Sequence, residues 1–422
     1  MKGSVFSNIF WMIFDRGVIA VLTLILTLCM ANHYGSSSFG VYQYALSLAA
    51  VFDAPSFFSD ARVVKLKYSV WDRGETVFHA SFSRLLLSTL TILAGPVYIL
   101  ISGEDKDCAL ILMILLFNLL FVNLRFGPVN CYEYELNSGR IVRPLKLIQT
   151  LGCILQLILI YLGSPMYLVV LITPLIALFS LILSWYLYGK DHKDTYRGPV
   201  KPGLIKAIIK ESIPLGIAAS CVVIYSRTDL IMTGNLLSKR DVGIYAIAVN
   251  MITAFQYILF PMQESFYPGM IELYKKDPEA YEKRYIKITS LFTWIFIVLS
   301  ALSVVLLPFI FRLLKPEYAE AVPIYRIYLL SGFFIFNAGL RAGHYTMTGK
   351  GSILMYSQLF SVVLNVILNF ILISRMGLYG AALATVITQC VSLLLSNLFF
   401  KEEGIKVFKR QLKGLNPLYM IR

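Results

Sequence analysis

Residues 212–250 read SIPLGIAASCVVIYSRTDLIMTGNLLSKRDVGIYAIAVN. An apolar segment carries Pro214, with Arg227 and Asp229 set inside it. A short polar turn follows at 238–241, and Gly243-Ile-Tyr-Ala-Ile-Ala opens a second apolar segment. The same plan stands near the N-terminus. There Asp15 and Arg16 lie inside an apolar segment, a Gly/Ser turn spans 35–38, and Gly40-Val-Tyr-Gln-Tyr-Ala opens the next. The chain reads as two similar halves, each opened by a charged membrane helix. Ser138-Gly139-Arg140 and Thr348-Gly349-Lys350 recur at a similar spacing. An even number of crossings per half gives both halves the same orientation, related by an axis along the membrane normal.

Of the 422 residues, 58% are hydrophobic and only 15% charged, and the mean hydropathy is +0.71. Runs of about 20 apolar residues, each able to cross a hydrocarbon core about 30 Å thick as a helix, recur along the chain. The fold class expected is all-α: a polytopic membrane protein of about twelve helices in two six-helix bundles. The first half supplies 9–31, 39–60, 82–102, 108–130, 145–163 and 166–188. The second supplies 212–234, 242–270, 288–311, 324–346, 353–373 and 378–400. The domains expected are an N-terminal bundle at 1–189, a basic linker at 190–211, a C-terminal bundle at 212–400 and a basic tail at 401–422. Within the linker, 204–210 reads as a short surface helix.

The net charge of +14 is read as positive-inside bias, not as a nucleic-acid footprint, because no basic stretch is interleaved with stacking aromatics. With the N-terminus in the cytoplasm, roughly 26 Lys and Arg fall on the cytoplasmic side and about 6 outside, with about 6 Arg within helices. Both termini are then cytoplasmic. The first segment is read as a retained helix, since Asp15 and Arg16 interrupt what would be a signal peptide's apolar centre. The six cysteines form no C-x-x-C pair and the four histidines show no ligand spacing, so no metal site is expected.

Charge inside a membrane is costly and needs a reason. Arg16, Arg227 and Arg341 are read as lining a cationic cavity, where the planar guanidinium suits phosphate oxygens. Arg84 and Arg125, near helix ends, either join that cavity or, as the favoured reading, snorkel to headgroups. Asp15, Asp53 and Asp229 either tune those arginines or carry a coupling ion, a proton or Na⁺; no other cofactor is expected. Asp15/Arg16 and Arg227/Asp229 are too close in sequence to face each other on a helix, so each charge looks to another helix. Asn365 and Asn369 share a helix face and serve as interhelical glue, the favoured reading, or as sugar contacts. His344 is read as a polar contact.

The layout resembles the polysaccharide flippases of the multidrug/oligosaccharidyl-lipid/polysaccharide exporter superfamily, most closely the O-antigen branch. The likeness rests on Tyr34-Gly35 with Phe39-Gly40-Val41-Tyr42 and Ala45, and on Arg227-Thr-Asp229 with Val242-Gly243-Ile-Tyr245-Ala246. It continues through Gly349-Lys350, Asn365 and Asn369 to Gly377-Leu378-Tyr379-Gly380-Ala-Ala-Leu-Ala-Thr. The resemblance implies a V-shaped pair of bundles in a bacterial inner membrane. It implies as cargo a sugar repeat unit on undecaprenyl pyrophosphate, turned to the periplasmic leaflet by ion-driven alternating access. An O-antigen polymerase and a chain-length regulator are the partners that follow. An ion-coupled drug exporter of the same fold is the nearer rival. A membrane polymerase or glycosyltransferase is disfavoured, because no outer loop is long enough for the large periplasmic segment such enzymes use. No enzyme activity is expected.

Overall fold

The computed structural model describes residues 2–192, 196 and 198–421, with the side chains at 2–16, 19, 20, 257, 258, 261, 264, 265, 268 and 421 outside the described set. Among the described residues every regular element is helical. Contacts divide the chain into two compact units: Met1–Tyr34 with Val41–Arg227, and Gly35–Gly40 with Thr228–Arg422.

The chain begins with α1 (Lys2–Phe52), which serves both units. The first unit continues through α2 (Ala61–Lys67), α3 (Arg73–Ser102), α4 (Lys106–Leu124), α5 (Phe126–Tyr134), α6 (Ser138–Tyr161) and α7 (Met166–Asp191) into α8 (Pro202–Leu236). Here α4 packs on α3 and α7, and α7 also packs on α6. The second unit holds α9 (Lys239–Ser265), α10 (Tyr267–Lys276), α11 (Pro278–Phe311), α12 (Ala321–Asn337), α13 (Arg341–Met347), α14 (Gly351–Met376) and α15 (Leu378–Leu393), followed by α16 (Lys401–Lys413) and α17 (Leu418–Ile421). Here α15 packs between α12 and α14, and α12 also meets α9 and α11. Nine helical spans among the described residues are long and apolar enough to cross a bilayer. The other expected crossings fall on the two halves of α1 and on α9, of which the first half of α1 and α9 include side chains outside the described set.

Two junctions differ from the sequence expectation. The first is at 35–38, where a loop was expected. Gly35 alone breaks a 51-residue helix, with φ 78° and ψ 172°, a left-handed conformation open to glycine. The helix resumes at once because the Glu317 carboxylate accepts from the Ser36 amide at 2.7 Å, capping an exposed helix N-terminus with negative charge. The second junction is the linker. α8 runs unbroken from Pro202, a favourable first-turn position for proline, through 212 and beyond. Its first part belongs to the first unit: Ser212 Oγ accepts from the Asp60 amide at 3.0 Å, and Ser220 Oγ donates to the Ala54 carbonyl at 3.1 Å. The contact division therefore falls at 227/228, inside α8, whereas the sequence reading set it at 211/212.

The repeat has a physical counterpart inside the second unit. A methyl group on Gly40 would run into the Lys239 carbonyl, and one on Gly243 would run into the Ser36 carbonyl. One and the same shift along the chain carries Gly40 onto Gly243 and Ser36 onto Lys239. Residues 36–40 and the start of α9 thus meet reciprocally at their two glycines. Ser238 starts the second of these helices, its Oγ accepting from the Asp241 amide at 3.1 Å, a side-chain N-cap.

Ion pairs gather at the helix ends. In the first unit, one end carries Lys65–Glu133 (2.8 Å), Arg73–Glu135 (3.0 Å), Arg140–Asp191 (2.8 Å) and Lys201–Glu75. These join loops that alternate along the chain, as loops on one side of a membrane do. Asp60 sits at the same end. Burial opposes its charge, but Arg62 holds the carboxyl below its ordinary value.

Candidate functional site

Three of the sequence motifs converge in the second unit. Asp229 is 1% exposed. Its carboxylate accepts from the Tyr245 hydroxyl at 2.9 Å, from Thr385 Oγ1 at 3.4 Å and from the Leu230 amide at 2.8 Å. Tyr245 belongs to the Gly243 segment, and Thr385 ends the Gly377–Thr385 run on α15. A buried carboxylate surrounded by hydroxyl donors can keep its charge or take a proton with little rearrangement.

Arg341 is 2% exposed. Its Nε donates to Asn397 Oδ1 at 2.8 Å, and a terminal nitrogen donates to Ser357 Oγ at 2.8 Å and Ser396 Oγ at 3.0 Å. Asn397 also accepts from the Tyr345 hydroxyl at 2.8 Å and donates to Gln411 Oε1 at 2.8 Å. In this state the guanidinium fork is engaged by its own unit. Asn365 and Asn369 are fully buried. Asn369 donates to the Asn365 carbonyl at 2.9 Å, and Asn365 donates to Thr388 Oγ1 on α15 at 3.3 Å, an interhelical bond.

The first unit has its own polar centre. Asp53 accepts from Asn123 Nδ2 at 2.9 Å, and the same amide group donates to Ser88 Oγ at 2.7 Å. Arg84 does not run out to the headgroups. Its Nε donates to the Ser59 carbonyl at 3.2 Å, and its guanidinium lies 3.6 Å from the centre of the Phe126 ring. That stacking, which Arg favours over Lys, turns the charge inward toward Asp53. Arg227 is half-buried and lies within electrostatic range of Tyr42. The side chains of Asp15 and Arg16 lie outside the described residues. The structure therefore groups Asp53 with Arg84 and Asn123, and Asp229 with Tyr245 and Thr385.

Two clusters went unread in the sequence. His344 is fully buried. Its Nδ1 is 2.7 Å from the Tyr281 hydroxyl, and its Nε2 is 2.9 Å from Glu403 on α16. Arg410 on the same helix donates to Glu282 at 2.6 Å. α16 is thereby locked onto the ends of α11 and α13. Burial raises the Glu403 carboxyl's pKa, but the bonds from His344 and Lys350 prevail and hold it below its ordinary value. One acidic residue of a tail read only as basic, Glu403, thus serves as an anchor. In the first unit Cys131, Glu135 and His192 each bring one ligand atom within 4.8 Å of the others. Cys131 and Glu135 share a face of α5 at i,i+4, whereas His192 arrives from α7, so sequence spacing gives no hint of the group. Arg73 and His192 already pair with Glu135, at 3.0 and 2.9 Å.

Comparison with known proteins follows from this geometry. A family model described as polysaccharide biosynthesis protein matches residues 72–274, and one described as MatE matches 214–371. The capsular polysaccharide biosynthesis protein CapF of Staphylococcus aureus is 26% identical over 407 residues, covering 92% of this chain and 97% of that protein. Among solved structures, an inward-facing multidrug resistance MATE family transporter superposes with a TM-score of 0.69 at 14% identity, covering 93% of this chain and 96% of that one. The lipid II flippase MurJ in an inward closed conformation also scores 0.69, at 16% identity, covering 96% and 91%. The two family models together reach from residue 72 to 371, and the solved neighbours, a transporter and a flippase by name, share this chain's fold.

Proposed function

We propose that the protein turns a lipid-linked oligosaccharide repeat unit, carried on undecaprenyl pyrophosphate, across a bacterial inner membrane for surface polysaccharide synthesis. The observation that carries this reading is the end-to-end similarity to a capsular polysaccharide biosynthesis protein. That relative favours capsule over O-antigen as the product. The orientation follows from the positive loops, with both termini cytoplasmic.

Arg227 is the arginine best suited to meet the pyrophosphate, since it is half-buried, where Arg341 is enclosed. Arg341 reaches the cargo only by exchanging bonds it already makes to Asn397, Ser357 and Ser396; Arg16 completes the set on the sequence reading. Asp229 and Asp53, the carboxylates held by neutral donors in each unit, are the candidates for a coupling proton or Na⁺, with Asp15 beside Arg16 a third. A polymerase and a chain-length regulator would receive the product.

In a host that makes a surface polysaccharide, deleting this protein should abolish the polymer and leave lipid-linked repeat units accumulating. Complementation with Arg227→Ala should restore polymer at least about tenfold more slowly than the natural chain, the worth of one charge-assisted bond. Undiminished polymer in the deletion strain would contradict the reading. The match of the MatE model to 214–371 supports drug export as a second reading. Extrusion of cationic dyes that survives Arg227→Ala, with normal polysaccharide in the deletion strain, would establish it instead.

A further inference from the structure

The start of α8 does more than join the units' sequences. Its apolar row Ile205, Ile209 and Ile213 faces Phe82 and Leu86 of α3 across a groove of about 640 Å³, within the size range of ligand sites. The row repeats at i,i+4, so one helix face supplies it. Flanking this row, Ile208 is fully buried against Val64 and Ala80, which fixes the helix in place. Leu86 and Ile213 remain 48% and 42% exposed while Ile205 is buried, so the groove opens toward the Leu86 and Ile213 end.

Charge lies beside the groove. Lys206 and Lys210 border it, both exposed and again at i,i+4. The neighbouring acid, Glu211, is engaged by Lys67. Depth follows from length. The 35 residues of α8 extend about 52 Å, whereas the hydrocarbon core takes about 30 Å. The ion pairs of Lys201 and Glu211 mark the first turns as the overhang, so both lysines, with Ile205 and Ile209 beside them, stand at headgroup level, and Ile213 with Leu86 carries the apolar row on toward the acyl region. Both helices that wall the groove are long and apolar enough to cross a membrane, and their exposed Leu86 and Ile213 side chains are the kind of surface that acyl chains cover.

We propose that this groove binds an anionic glycerophospholipid, with an acyl chain laid from Ile209 along Ile213, Phe82 and Leu86 and the phosphate held by Lys206 and Lys210. Basic residues at headgroup depth select anionic lipid, and apolar rows below them take the chain. The site is independent of what the protein carries.

The test uses the full chain in neutral detergent, titrated with phosphatidylglycerol or phosphatidylcholine and read by thermal stability. Phosphatidylglycerol should raise the melting temperature at lower concentration than phosphatidylcholine. Lys206→Gln/Lys210→Gln should raise the half-saturating phosphatidylglycerol concentration about 30-fold and leave the phosphatidylcholine response unchanged. Lys206→Arg/Lys210→Arg keeps the charge and should bind as the natural chain does, which separates loss of binding from loss of fold. Ile209→Trp, which fills the groove, should abolish the preference. Equal response to the two lipids, or unchanged phosphatidylglycerol binding in the Gln variant, would overturn the proposal. So would a polyprenyl phosphate that displaces phosphatidylglycerol from the groove at equimolar concentration, or self-association that Ile209→Trp abolishes while the lipid preference stays.

Discussion

Gly243→Val should destabilise the second unit by about 3 kcal/mol or more, beyond the usual cost of overpacking. The added Cβ meets the Ser36 carbonyl, and a carbonyl in a helix cannot swing aside as a side chain can. Gly40→Val should cost about as much, because it drives into the Lys239 carbonyl by the same relation. The control is Gly189→Ala on α7, where nothing lies within 4 Å of a new Cβ; it should be neutral. Thermal unfolding of the purified variants in detergent checks all three. Gly243→Val with an unchanged melting temperature would mean that the two segments do not cross at these glycines.

Arg341→Ala should be the second large effect. The side chain makes three hydrogen bonds in a buried site. At the average of about 0.6 kcal/mol for polar contacts within membrane proteins the loss is about 2 kcal/mol. At the lower value for charge-assisted bonds, about 1.5 kcal/mol each, it reaches about 5 kcal/mol. Burial near 2% favours the upper part of that range. Lysine offers a point charge and no fork, so Arg341→Lys should recover less than half of the loss. A double-mutant cycle with Asn397→Leu should give a coupling of about 1 kcal/mol or more. Additive losses would show that Arg341 and Asn397 act separately.

The sequence made legible whatever depends on local pattern. Apolar runs marked the helices, and the recurring Gly40 and Gly243 are the glycines at which residues 36–40 and α9 cross. Junctions were read less well. One glycine with a distant carboxylate cap does the work expected of a four-residue loop, and Glu317 lies far from Ser36 in sequence. The partners of the buried charges were not legible. Asp53 with Asn123, Arg341 with Asn397 and Asp229 with Thr385 are pairs that only packing brings together, and no periodicity records them. Arg84 shows the limit from the other side: its place near a helix end favoured snorkelling, while stacking on Phe126 and the Ser59 carbonyl turned it inward.

The central claim is that this chain moves lipid-linked sugars across a bilayer. The most direct measurement is flipping in proteoliposomes loaded with an undecaprenyl-pyrophosphate oligosaccharide, followed by its accessibility to an impermeant probe, with and without a proton or Na⁺ gradient. The account predicts protein-dependent transfer that an ion gradient accelerates and Arg227→Ala slows at least about tenfold. Transfer no faster than in protein-free vesicles, under either gradient and with capsule- and O-antigen-type repeat units alike, would contradict it.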